Sequence, residues 1–98
     1  NRFVDDVQEV FSTAPDPVRW LVIDCSSVTD IDYSAAISLG GLIDYVHAHD
    51  AHFGIMGADP GLLKTMDNLG LTKEFTEDRI FHNFDQVVDA YRKQGAKS

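Results

Sequence analysis

The chain has 98 residues, 44% of them hydrophobic, with 16 acidic side chains against 8 Lys plus Arg and a formal charge of −8. A chain of this length buries one core and not two, so a single domain over residues 1–98 is expected. The acidic balance argues against nucleic acid as a partner, because phosphate-backbone binding needs a basic surface that releases counterions. No apolar run reaches the roughly 18 residues of a membrane span, so direct membrane insertion by this chain is not expected.

The longest apolar stretch, residues 34–46, contains Ser38 and is broken by Asp44. The one cysteine, Cys25, leaves no internal disulfide and suits a reducing compartment. No basic segment followed by an apolar one marks a signal peptide. The chain opens on Asn1 and Arg2 without Met, and a helical face begins at once, so it reads as a piece of a longer protein.

Taken in order, Phe3, Val4, Val7, Val10 and Phe11 recur at spacings of three and four and predict a helix over residues 2–12, with Asp5, Asp6 and Glu9 on its wet side. Pro15 and Pro17 end it. In residues 18–24 both alternating sets are apolar, Trp20 with Val22 and Leu21 with Ile23, which predicts a strand covered on both faces, as in a parallel sheet. A second helix is expected over 33–48, with Ala36, Leu39, Ile43 and Val46 on one stripe, then a buried strand over 52–56.

Asp59-Pro60-Gly61 starts a third helix, with Pro at a first-turn position where its missing N–H has no intrahelical partner. Leu62, Leu63, Met66 and Leu69 point inward, and Gly70 suits the position just past the helix end. Residues 80–81 read as a short last strand. Asn83 caps a fourth helix whose Phe84, Val87, Val88 and Tyr91 share a face, whose Asp89 and Lys93 are placed to pair, and whose end frays over 94–98. The α-β-α-β-α-β-α order implies a parallel sheet with right-handed crossovers.

The segment Val-Ile-Asp-Cys-Ser-Ser-Val-Thr-Asp-Ile-Asp-Tyr-Ser-Ala-Ala, residues 22–36, concentrates acids and hydroxyls between a strand and a helix. Asp30-Ile31-Asp32-Tyr33-Ser34 fits the D-x-D-x-[ST] pattern of magnesium-dependent phosphohydrolases, in which one carboxylate attacks phosphorus and the second handles protons. That nucleophile belongs directly at the end of its strand, and this strand ends six residues earlier, at Asp24. No later acidic pair supplies the metal.

Free N–H groups at the start of the second helix would attract an anion, but Asp24, Asp30 and Asp32 oppose it unless a divalent cation assists. No G-x-x-x-x-G-K-[ST] loop cradles phosphates. Simpler roles also fit: Asp32 caps the helix, and Ser26 or Thr29 hydrogen-bonds loop backbone. A capped loop holds Tyr33 and Ser34 in fixed directions, so a partner can read it by shape and charge, and phosphate on Ser34 would perturb that docking.

The run Asp24-Cys-Ser26-Ser-Val28-Thr-Asp-Ile31-Asp32-Tyr-Ser34-Ala35 resembles the D-x-S-x-V-x-x-[IL]-D-x-[ST]-[GA] segment of STAS domains. These occur as anti-sigma factor antagonists and as the cytoplasmic C-terminal domains of SulP-type sulfate and anion transporters. The likeness extends through the small-residue helix, the next strand, Leu69-Gly70-Leu71 and the last helix. Antagonists are switched by phosphorylation directly after the second Asp, where this chain has Tyr33, and Ala35 replaces the usual glycine.

The resemblance is therefore strongest to the bacterial transporter branch. It implies an α/β domain with a largely parallel sheet flanked by helices, whose N-terminal strands are missing from this chain. It further implies a non-catalytic regulatory or interaction role on the cytoplasmic side of the plasma membrane, as part of an integral membrane transporter. The implied partners are the transmembrane domain of the parent transporter and cytoplasmic regulatory proteins; a guanine or adenine nucleotide with magnesium is a candidate ligand. The binding loop is assigned to Asp24, Ser26, Thr29, Asp30, Asp32, Tyr33 and Ser34, with a free-standing antagonist as the alternative reading.

Three further features invite function. His47, His49 and His52 do not converge at their spacings, and they are expected to face solvent or complement a helix C-terminus. Cys25 has no cation beside it in sequence to activate a thiolate and reads as a small buried residue, while Trp20 reads as core. The acidic side of the first helix reads as a solvated face.

Overall fold

A computed structural model of the chain describes residues 2–74 and 79–97. In chain order it contains α1 (Arg2–Thr13), β1 (Trp20–Asp24), α2 (Tyr33–Ala48), β2 (His52–Met56), α3 (Pro60–Asn68), a 3-10 turn at Leu71–Glu74, β3 (Ile80–Phe81) and α4 (Phe84–Lys97). The strands form one sheet in the order β1-β2-β3. Both pairings are parallel, Trp20 to Asp24 facing His52 to Met56 and Ile55-Met56 facing Ile80-Phe81. The expected α/β architecture is therefore present, with β2 central and β1 on an edge.

Strand alternation divides the sheet into two faces. Phe53 and Ile55 point into the main core, where they meet Leu42, Ile43 and Val46 of α2, Leu62 and Met66 of α3, and Val7 of α1. Leu21, Ile23 and Ile80 pack against the same cluster. The opposite face carries Trp20, His52 and Phe81, with Tyr91 of α4 against the Trp20 ring. Helices thus cover both faces, as parallel strands require.

Helix ends follow local chemistry. Asp59 Oδ1 accepts from Leu62 N–H at 2.8 Å, and Pro60 takes the first helical position of α3. Asn83 Oδ1 accepts from Gln86 N–H at 3.0 Å while Gln86 Oε1 accepts from His82 N–H at 2.8 Å, which caps α4 from both directions. Gly70 stands at φ 80° past α3, as expected. At the end of α2 the same left-handed position is taken by Asp50, at φ 56°, with Asp50 N–H donating to His47 O and Ala51 N–H to Val46 O, each at 3.1 Å.

Several sequence expectations need correction. β1 begins at Trp20, not at residue 18, and its apolar residues are half-buried because an edge strand lacks a neighbour on one side. Phe3 and Val10 of α1, Leu69 beyond α3, and Phe84 and Tyr91 of α4 are exposed, so each apolar stripe is wider than the surface that covers it. Leu42, absent from the expected α2 stripe, is fully buried. Helix α4 continues to Lys97 instead of fraying over 94–97, and residue 98 lies outside the described residues. Asp89 and Lys93 form no ion pair; among the described residues the ion pair is Arg2 with Asp6, exposed and at 4.0 Å.

Candidate functional site

The loop leaving β1 is anchored at its root. Cys25 N–H donates to Met56 O of β2 at 2.8 Å, and Val28 N–H returns to Cys25 O at 3.1 Å, closing a turn. Ser26 N–H donates to Asp24 Oδ1 at 2.9 Å, and the Ser26 hydroxyl bonds the same carboxylate. The hydroxyl bond first and the N–H second hold Asp24 below its ordinary pKa, against a smaller opposing effect of desolvation. Ser26 therefore serves a carboxylate and not the loop backbone, and Thr29 is exposed, without the expected backbone hydrogen bond among the described residues.

Ser26 lies tightly on Gly57, which stands at φ 73°; a Cβ there would come within 3.1 Å of Ser26 Cβ. The loop is thus pressed onto the backbone that follows β2.

Its far end is fixed by acids. Asp30 Oδ1 accepts from Ile31 N–H at 2.8 Å, and Asp32, in extended backbone, accepts from Ala35 N–H at 2.7 Å through Oδ1 and from Ala36 N–H at 2.9 Å through its carbonyl. Asp24, Asp30 and Asp32 each spend an oxygen on adjacent backbone, which is the work of turns and caps. Among the described residues no three His, Cys, Asp or Glu side chains are grouped as ligands for one metal ion. Asp30 is also six residues past the last strand residue, away from the strand-end position a phosphohydrolase nucleophile occupies. At the start of α2 the N–H groups of Tyr33 and Ser34 remain for an outside acceptor, ringed by carboxylates, so a phosphate there would need a divalent cation to offset them.

Beyond the cap, Tyr33 is 71% exposed and Ile37 60% exposed, and one turn further Gly41 has open space beside it. Asp44 continues this outward stripe. Ser34, the other hydroxyl singled out, is exposed beside Tyr33. Sequence reading named Tyr33 and missed Ile37. The available signal was that Ile37 falls off the buried Ala36-Leu39-Ile43-Val46 stripe, so an isoleucine there faces water.

The remaining candidates separate. Arg79, unmarked in the sequence, lays its guanidinium over the Trp20 ring at 4.3 Å and donates to His52 Nδ1 at 3.2 Å. Desolvation first, then the charges of Arg79 and His47, lower the His52 pKa, so His52 is neutral and accepting. Trp20 is half-buried between His52 and Tyr91, part packing and part cation platform. His49 stacks on Tyr45 with centroids 4.2 Å apart and reaches the Tyr45 carbonyl with Nδ1 at 2.9 Å, beside Phe11. Cys25 is buried, and burial, followed by the Asp24 charge, raises its pKa, which keeps the thiol protonated.

Among the described residues no helix is long and apolar enough to cross a membrane. No curated protein is significantly similar to the chain in sequence. Solved structures are similar: the STAS domain of a SulP transporter from Vibrio cholerae superposes with a TM-score of 0.87 at 15% identity, covering 99% of this chain and 76% of that one. A sulfate transporter family protein from Wolinella succinogenes gives 0.81 at 16% identity, with 99% and 79% covered. At these identities the likeness shows the fold. The family model described as STAS domain matches residues 1–90, the whole sheet and the capped acidic loop included, and the chain belongs to the STAS domain family.

Proposed function

We propose that this domain is a non-catalytic docking module of a SulP-type anion transporter, held on the cytoplasmic side of the membrane, and that the loop after β1 together with the outward stripe of α2 is its recognition surface. The observation that carries the reading is the pairing of a rigid acidic rim with an exposed apolar centre. Asp24, Asp30 and Asp32 are tied to backbone and still face water, while Tyr33 and Ile37 stand out beside them. Interfaces place aromatic anchors centrally and charges at the rim, so the fitting partner has an apolar pocket edged by Lys and Arg.

The transporter context is supported by the solved neighbours, one described as the STAS domain of a SulP transporter and the other as a sulfate transporter family protein. It is favoured over a free-standing anti-sigma antagonist because Tyr33 occupies the position at which that branch carries Ser or Thr.

The test uses the full transporter in vesicles. Tyr33→Ala and Ile37→Asp are expected to change the anion transport rate severalfold while the domain keeps its circular dichroism and melting temperature. Unchanged transport in both variants, with unchanged binding of cytoplasmic partners, overturns the reading.

A further inference from the structure

We infer that His52, Arg79 and Trp20 form a proton-operated latch on the α4 side of the sheet. With His52 neutral, Arg79 lies across the Trp20 ring; protonation of His52 sends the guanidinium to Asp89 of α4. This inference is independent of the docking reading.

The latch is built by three adjacent segments. Trp20 and His52 are register partners at the starts of β1 and β2, with ring centroids 5.2 Å apart. Two residues along β2 on the same face, Gly54 has no side chain, and a Cβ there would lie 2.8 Å from Arg79 O and 3.2 Å from Phe81 Cε2. The bare position lets the Arg79 backbone rest against β2. From there the side chain reaches back over β1, where its guanidinium carbon stands 4.3 Å from the Trp20 ring centre. Tyr91 of α4 meets the same ring edge-on at 5.9 Å.

One bond makes the arrangement sensitive to a proton. An arginine side chain only donates, so the 3.2 Å contact of Arg79 Nη2 with His52 Nδ1 requires Nδ1 to carry no hydrogen. A protonated imidazole donates from both nitrogens. The bond that places Arg79 is then lost, and two cations are left in contact.

The surroundings of His52 do not offset that charge. Among the described residues, the charged groups acting on it are Arg79 and His47 near the end of α2, and both are basic. From β1 it meets the Trp20 ring, against which Phe81 of β3 and Tyr91 of α4 also pack, and its backbone N–H donates to the Arg19 carbonyl. None of these groups is a carboxylate. Burial first, then Arg79 and His47, hold the His52 pKa below 6.5, so the latch is closed at neutral pH and opens in acid.

Relief comes from a change of partner. The imidazolium replaces the guanidinium as the cation beside the indole. Arg79 already lines a groove of about 440 Å³ along β3 and α4, where it shares the walls with Asp89, Lys93, Gln86 and Gln94. Asp89 is the carboxylate among the described residues of that lining, and it is not paired with Arg79 while the latch is closed.

The experiment is an NMR titration of the protein downward from neutral pH, following the His52 ring, the Arg79 side-chain protons and the Phe53 and Ile55 amides. Over the indole, the Arg79 δ and ε protons are displaced upfield by the ring current. They are expected to lose that displacement with the His52 midpoint while Phe53 and Ile55 stay in place, and fluorescence of Trp20, the one tryptophan, should change at the same midpoint. Arg79→Gln removes both the opposing cation and the bond to neutral imidazole, and is expected to raise the His52 midpoint. Asp89→Asn removes the acceptor of the released guanidinium and is expected to lower it. His52→Gln, whose amide oxygen still accepts, should keep Arg79 displaced at every pH.

Arg79 protons that remain upfield after His52 is protonated overturn the inference in the unsubstituted protein alone. So does a His52 midpoint unmoved by Arg79→Gln or by Asp89→Asn. Phe53 and Ile55 amides that shift at the His52 midpoint also overturn it, because the event would then be unfolding and not a local exchange of partners.

Discussion

The units β1-loop-α2 and β2-loop-α3 solve one problem with the same chemistry and very different lengths. Each helix is entered through an extended Asp whose Oδ1 accepts the N–H three residues on, Asp32 from Ala35 at 2.7 Å and Asp59 from Leu62 at 2.8 Å. The first loop, however, runs from 25 to 32 and is held by two further bonded carboxylates, Asp24 at the strand end before it and Asp30 within it, whereas the second needs only 57 to 59. The first cap is followed by exposed Tyr33 and Ile37; the second by buried Leu62 and Met66. An Asp cap is therefore no sign of function. The extra loop length and the unburied apolar stripe are what distinguish the first unit.

The largest expected effect tests whether α2 has two separable faces. Leu42→Ala, in the fully buried face, is expected to lower unfolding free energy by about 3 kcal/mol in a denaturant titration, from lost burial and the cavity left behind. Ile37→Ala on the outer face is expected to stay within about 0.5 kcal/mol. If the two cost the same, the outward stripe is part of the fold and the contrast between units fails.

Next in size is the contact that joins them. Gly57→Ala places a Cβ at positive φ against Ser26 and is expected to cost about 1–2 kcal/mol. Amide chemical shifts of Ser26 should move with it, whereas a purely local effect confined to residues 56–58 would show that the loop does not rest on Gly57.

The caps themselves give a matched pair. Asp32→Ala and Asp59→Ala are each expected to lose about 1 kcal/mol. Only the first should also change transport or partner affinity, and equal functional effects would remove the distinction drawn between the loops. At the helix ends the order reverses, because Gly70 already suits its left-handed backbone and Asp50 does not. Asp50→Gly is expected to raise stability by about 0.5–1 kcal/mol, read as a higher melting temperature.

The smallest effects are in pH dependence. Asp24 has a lowered folded pKa, so its contribution is complete above the unfolded value of 3.8 and is lost as pH falls through the lower folded value. His52 is also lowered: the unfolded chain binds the proton first, so stability declines as pH drops below 6.5 toward the folded value. His52→Gln should flatten the decline in stability that begins as pH drops below 6.5, and Asp24→Asn should flatten only the acid limb. Interchanged limbs would overturn both assignments.

Much of this fold was legible because the signals are local. Asp32, Asp59, Asn83 and Gly70 act within a few residues of themselves, and alternation or 3.6-residue periodicity marked β2 and α2. The acidic loop and Tyr33 were legible for the same reason. Exposed Phe3, Val10, Phe84 and Tyr91 were not, since periodicity reports which residues share a face and leaves open how much of that face a neighbour covers. Arg79 over Trp20 was also hidden: the contact joins residues far apart in sequence, and no pattern in either segment announces it.

By itself, the sequence determined the order of elements, their caps and the concentration of acids before α2, because these depend on backbone geometry and near neighbours. Only the tertiary structure decided that β1 is an edge, that Ile37 faces water and that Arg79 lies over Trp20. Burial is a property of what packs against a residue from elsewhere in the chain, and that is settled when strands pair and helices land on the sheet.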